Sequence, residues 1–196
     1  TDSGRSIHIM RAEVPGPIVG KIVPKIRETA KILYLIYVAL TGVMLVFLLC
    51  GGMPLFDSLL HTFGTAGTGG FGIKGDSIAG YSPYLQWVTA IFMLLFGINF
   101  NVYYLILLGK FKKAFFNEEV RWFFIMVIAA IGIITINIYE TSGSFFKALT
   151  DATFQVSSLV SSTGFASANF DAWPAICRTI LVLIMFIGAC AGSTGG

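Results

Sequence analysis

Apolar and polar positions are distributed along this chain in long blocks, not in the short periods of a soluble helix or strand. Four blocks carry no charged residue, at 32–50, 81–109, 122–139 and 179–196. Each reaches the roughly 17 to 25 residues that an apolar helix needs to cross a bilayer. The pattern predicts four membrane-spanning helices. Two further segments, 54–65 and 144–159, are apolar but too short to cross, and each leads into a run of small residues. They predict half-helices that enter the membrane and turn back. Residues 1–31 are polar and basic, contain Pro and Gly, and lack the apolar core of a secretory signal. They read as a loop entering the first span, with the expectation that the chain begins mid-protein.

The order helix, half-helix, glycine-containing run, helix occurs twice. Residues 32–109 make a first repeat, 110–121 a linker, and 122–196 a second repeat that stops within its last helix. Thr68-Gly69-Gly70-Phe71 follows the first half-helix and Ser162-Thr163-Gly164-Phe165 the second. Aligning Gly70 with Gly164 also aligns Asp57 with Asp151 and Phe71 with Phe165, at one constant offset and without a gap. Internal symmetry of this kind is a stronger signal than either run alone.

Composition agrees with a lipid solvent. Hydrophobic residues are 56% of the chain and charged residues 12%, which leaves too little polar sequence to cover a globular surface. The net charge of +3 is too small to imply nucleic-acid binding, but its placement gives a sidedness. Arg5, Arg11, Lys21, Lys25, Arg27 and Lys31 precede the first span, and Lys110, Lys112, Lys113 and Arg121 lie between the second and third. Cytoplasmic loops carry such an excess, so 1–31 and 110–121 are predicted to be cytoplasmic. Asp57, Asp76, Glu140, Asp151 and Asp171 then face outside, either as an acidic vestibule that concentrates cations or as ordinary solvated charges. Cys50, Cys177 and Cys190 have no metal-ligand spacing and read as packing residues.

Non-helical backbone at membrane depth must line a cavity or be buried in protein, since each unsatisfied N–H or C=O there costs several kcal/mol. A cation answers that requirement. Carbonyl oxygens directed at an axis replace its hydration shell, and glycine adopts the backbone angles that aim them. Thr68, Gly69, Gly70 and Phe71, with Ser162, Thr163, Gly164 and Phe165, are therefore candidate cation-filter residues. Each Phe is expected to wedge its loop against the surrounding helices. The carbonyl end of each half-helix points at the cavity with a partial negative charge.

Gly67, Gly69 and Gly72 also satisfy G-x-G-x-x-G, but the dinucleotide fingerprint needs a preceding strand and an acid about 20 residues on, and neither is present. At the far end, Gly188 and Gly192 have the small-xxx-small spacing of a packed helix, while Ser193, Thr194, Gly195 and Gly196 add residues that favour a break. Close packing and a loop that acts as a gate are both open on these grounds. Asn99 and Asn101 either bond between helices or line a pore, and their spacing on one helix puts them on different faces. His61 is expected to hydrogen-bond locally. No mid-span acid or His supplies the convergent groups of a membrane-embedded enzyme, so no catalytic residue is assigned. An ion-coupled secondary transporter with broken helices is the alternative, although its repeats are often inverted and these run in one orientation.

The residues Arg11-Ala12-Glu13-Val14-Pro15-Gly16-Pro17, the Thr-Gly-Gly-Phe run, Gly97-Ile98-Asn99-Phe100-Asn101-Val102-Tyr103-Tyr104, Asn117-Glu118-Glu119-Val120-Arg121-Trp122, Ser162-Thr163-Gly164-Phe165 and Gly192-Ser193-Thr194-Gly195-Gly196 together resemble the Trk/Ktr/HKT superfamily of potassium transporters, above all its bacterial TrkH branch. The resemblance covers nearly the whole chain. It implies an all-α membrane protein of potassium-channel-like repeats (membrane helix, pore helix, filter loop, membrane helix), multi-pass in the bacterial inner membrane, that takes up potassium. Gly70 and Gly164 correspond to its filter glycines, and 188–196 to a gating loop. It implies potassium as the transported ligand with no bound cofactor, a homodimer of the full-length protein, and cytoplasmic nucleotide-binding regulatory subunits of the TrkA type. Such a pore takes four filter loops and this chain has two, so the expectation is that it holds the second and third of four repeats.

Overall fold

The computed structural model describes residues 26–195, and every regular element among them is helical. Residues 1–25 and Gly196 lie outside the described residues, and the loop expected over 1–31 is already helical from Ile26 onward. Helix α1 (Ile26–Cys50) is the first span. After a turn at Gly51-Gly52 comes the half-helix α2 (Leu55–Ala66). The second uncharged block divides into α3 (Pro83–Phe96) and α4 (Phe100–Leu107), and a short α5 (Phe111–Phe115) carries Lys112 and Lys113. The second repeat holds α6 (Glu118–Ser142), the half-helix α7 (Phe145–Val160), one 3-10 turn at Phe170–Ala172, and α8 (Ala175–Ile187).

Local chemistry accounts for these boundaries. Asn117 caps α6 by accepting hydrogen bonds from the Glu119 and Val120 amides, and Gly143 ends it in a left-handed turn at φ 72°. Pro83 occupies the start of α3, where its missing N–H costs nothing, behind Ser82 as cap. Helices α1 and α6 are long and apolar enough to cross a membrane. Their outward faces carry exposed large apolar side chains such as Leu35, Phe47, Ile128 and Ile136, a surface that suits lipid and not water.

Two expectations need correction. Residues 81–109 are not one straight span, because α3 and α4 meet at 87°. The new helix starts where the Asn99 side chain accepts the Asn101 amide at 3.0 Å. The carbonyls of Phe96 and Gly97, freed by the bend, accept the amides of Thr194 (3.2 Å) and Cys190 (3.0 Å). The face argument for Asn99 and Asn101 therefore fails, since both sit at the break and their side chains bond each other at 3.0 Å. Nor is 179–196 a full span. Helix α8 starts earlier, at Ala175, and stops at Ile187, where Gly188 turns the chain at φ 71°. By length and composition the described residues hold two spanning helices, or three if the bent pair counts as one.

The two repeats interlock through their half-helices. One core of Val127, Ala130, Ile134, Ala148, Ala152 and Val156 joins α6 to α7, and Leu181 and Ile184 of α8 close it. A second joins Met44 and Leu48 of α1 to Phe92, Phe96 and Phe100 of the bent pair. Between the repeats, the Trp87 indole N–H on α3 donates to the Thr150 hydroxyl on α7 at 2.9 Å, and Phe154 and Phe165 pack with Ile78, Ala90 and Met93.

Candidate functional site

The loops after α2 and α7 repeat one backbone conformation at the offset that aligns Gly70 with Gly164. Thr68 and Ser162 have φ 49° and 58°, and Gly70 and Gly164 have φ 63° and 89°. A β-branched residue rarely takes a left-handed φ, so Thr68 is held there by its surroundings. The hydrogen bonds repeat with the angles. Gly69 and Gly70 donate their amides to the Gly64 carbonyl at 2.7 and 3.2 Å; Thr163 and Gly164 donate theirs to the Ser158 carbonyl at 2.9 and 3.3 Å. Thr68 and Ser162 each reach back three residues, to Thr65 and Leu159. Each half-helix thus ends by drawing the amides of its loop toward itself. The carbonyls of Thr68, Gly69, Gly70, Thr163 and Gly164 take no part in these bonds.

The two loops touch. A Cβ built on Gly70 would overlap the Thr163 carbonyl and stand 3.0 Å from the Gly164 carbonyl carbon. Only a residue without a side chain lets the backbones approach this closely. Hydroxyls brace the second loop from behind. Ser158 donates to the Phe165 carbonyl at 2.6 Å, Ser161 donates to the Ser157 carbonyl at 2.7 Å, and the Ser161 and Thr163 hydroxyls share a hydrogen bond at 2.7 Å. All three side chains are buried.

The phenylalanines differ. Phe165 is 1% exposed and stacks on the His61 ring, centroids 5.3 Å apart, so the second loop is wedged against the first half-helix. Phe71 is 77% exposed. The expected wedge therefore holds for Phe165 and not for Phe71 among the described residues. His61 bonds locally through Nδ1 to the Asp57 carbonyl at 2.8 Å. Among the described residues no group of three or more His, Cys, Asp or Glu side chains is placed to hold a metal. Tyr81 donates its hydroxyl to Asp57 at 2.6 Å. Burial, with the Asp57 bond and charge and the Asp76 charge, pushes its pKa up to about 12, so it stays a neutral donor.

The segment after α8 returns to this place. Residues 188–195 form no regular helix, with Gly188 and Gly192 at φ 71° and 73°. The loop lies along the bend between α3 and α4, bound there through Cys190 and Thr194, while the Gly192 carbonyl accepts the Phe100 amide at 3.0 Å. It also meets both candidate filter loops. The Thr68 hydroxyl donates to the Thr194 carbonyl at 3.2 Å, and a Cβ on Gly195 would stand 3.0 Å from the Ser161 carbonyl. Thr68, Gly69, Gly70, Thr163, Gly164, Thr194 and Gly195 are thus gathered into one constellation. Sequence reasoning missed Glu119, whose carboxylate accepts the Ala191 amide of the loop and the Asn99 side-chain amide at 3.2 Å.

Comparison with known proteins shows the family of the chain. Residues 4–196 match the TrkH family, described as cation transport proteins. The chain is 38% identical to the Trk system potassium uptake protein TrkH of Salmonella typhimurium and 36% identical to that of Escherichia coli K12, covering 97% of this chain and 40% of each relative. The chain thus spans about 40% of the length of the curated relatives it matches. Its fold is similar to the crystal structure of the potassium transporter TrkH from Vibrio parahaemolyticus, with a TM-score of 0.82 and 31% identity over 91% of this chain and 39% of that one.

Proposed function

This chain belongs to the TrkH family of cation transport proteins, and from that premise we propose that it forms two quarters of a potassium-selective pore in a longer protein that takes up potassium across the bacterial inner membrane. The observation that carries this reading is the repeated loop geometry, in which two short backbone runs share their angles and amide bonds and meet at Gly70 and Thr163. With the amides drawn toward the half-helices, the carbonyls are available to replace the hydration shell of a cation. Potassium is cargo, and the reading needs no bound cofactor, catalytic residue or covalent chemistry. Residues 188–195, bonded to Thr68, stand where a gate would act on ions leaving the filter. The full-length protein is read as a homodimer regulated by cytoplasmic nucleotide-binding subunits of the TrkA type, on the family resemblance.

The test is rescue of a potassium-uptake-deficient cell at low external potassium by the full-length protein. The parent is expected to restore growth, and Gly70→Ser and Gly164→Ser to lose it or to admit sodium. In the first variant the new side chain collides with the Thr163 carbonyl, and in both it occupies a left-handed φ. Rescue equal to the parent by both variants overturns the filter assignment.

A further inference from the structure

Loop 188–195 is bonded to uncharged backbone at the bend between α3 and α4 and to one carboxylate. Glu119 lies in the first turn of α6, where the helix N-terminus favours a negative charge. One carboxylate oxygen accepts the Ala191 amide and the other accepts the Asn99 side-chain amide at 3.2 Å. Asn99 in turn accepts the amide and the side chain of Asn101, both at 3.0 Å. A single side chain thereby joins the start of one span, the break in another and the middle of the loop. Bonds to an ionised acceptor are roughly twice as strong as neutral ones. Glu119 also borders an open cavity of about 330 Å³, lined with it by Trp122, Phe123, Met126, Gly188 and Cys190.

We propose that Glu119 is the positioning residue that latches loop 188–195 against the filter, so that loss of its two hydrogen bonds loosens the loop at Ala191 and raises throughput without changing ion selectivity. The proposal rests on the reading of 188–195 as a gate. The Ala191 bond fixes the middle of the loop, whereas the bonds of Cys190 and Thr194 to the bend fix it on either side. Cys190 and Thr194 keep their bonds to the Gly97 and Phe96 carbonyls, and the Gly192 carbonyl keeps the Phe100 amide, so what the release loosens is the Ala191 peptide between them.

The test uses the full-length protein in potassium-loaded vesicles with Cys50, the exposed cysteine, replaced by alanine. Potassium flux, the potassium-to-sodium flux ratio, and the rates at which a water-soluble maleimide labels Cys190 and Cys177 are measured together. Both thiols are buried, one in the loop and one in the α8 core. Glu119→Gln is expected to raise flux and Cys190 labelling by about tenfold, as for weakening one charge-assisted bond, with the flux ratio and Cys177 labelling unchanged. Glu119→Asp, which keeps the charge, is expected to return part of the way to the parent. Flux and Cys190 labelling equal to the parent overturn the latch, as does a rise in both accompanied by a fall in the flux ratio or an equal rise at Cys177. If Glu119→Gln does not reach the membrane, Ala191→Pro removes the same bond from the loop side and is judged by the same outcomes. A parent that passes no potassium overturns the proposed function instead, and Cys190 labelling then still reports the latch.

Discussion

At Gly70 the missing side chain and the positive φ serve the same end, since the space a methyl group would fill belongs to the carbonyl of Thr163. The need for a positive φ was legible in the sequence, because a glycine at the same offset in two repeats of an apolar chain has few other reasons to recur, and the contact with Thr163 was not. The bracing beneath it was less legible. Ser158 looks like any polar residue on a half-helix, yet it is fully buried and its hydroxyl donates to the Phe165 carbonyl at 2.6 Å. Ser158→Ala leaves that carbonyl buried without its donor, a loss of about 1–3 kcal/mol. We expect a lower melting temperature of the purified full-length protein and a reduced preference for potassium over sodium; an unchanged melting temperature would show that the bond contributes nothing net. Glu119 could not have been found at this scale. Its partner on the loop is 72 positions away, and nothing in the local run Asn117-Glu118-Glu119 separates it from the neighbouring acid.

The elements were legible where length and charge define them and illegible where distant backbone does. Both half-helices fall within a residue or so of the predicted stretches, at Leu55–Ala66 and Phe145–Val160, because glycine and charge bound them locally. The bend between α3 and α4 lies inside an uncharged run and is completed by amides some 90 residues later, and its local marks are only Gly97 at the end of α3 and the Asn99 cap of α4. The end of α8 at Ile187 was one of two open readings and is fixed by where Gly188–Gly195 dock. The contrast between Phe165 and Phe71 yields a prediction for the half-helices. Phe165→Ala removes a buried ring stacked on His61 and should cost about 3–5 kcal/mol. If the half-helix of another repeat receives Phe71 in the same way, Phe71→Ala in the full-length protein lowers the melting temperature by a comparable amount. A Phe71→Ala protein as stable as the parent would mean that no such neighbour covers it.

As a whole, the chain is part of an all-α membrane protein of the TrkH family, and its architecture follows from the solvent. Long apolar helices face outward with side chains such as Ile136, 76% exposed, while polar groups gather inward around two loops that hydrogen-bond to their own half-helices. The chain spans about 40% of its relatives' length, so the pore is a property proposed for the longer protein. The central claim is that backbone at Gly70 and Gly164 selects the ion. The most direct measurement is the reversal potential of the full-length protein with potassium on one side of a bilayer and sodium on the other. The account predicts a strong potassium preference in the parent that falls in both Gly70→Ser and Gly164→Ser, and a parent without preference, or variants that keep the parent's potential, would contradict it.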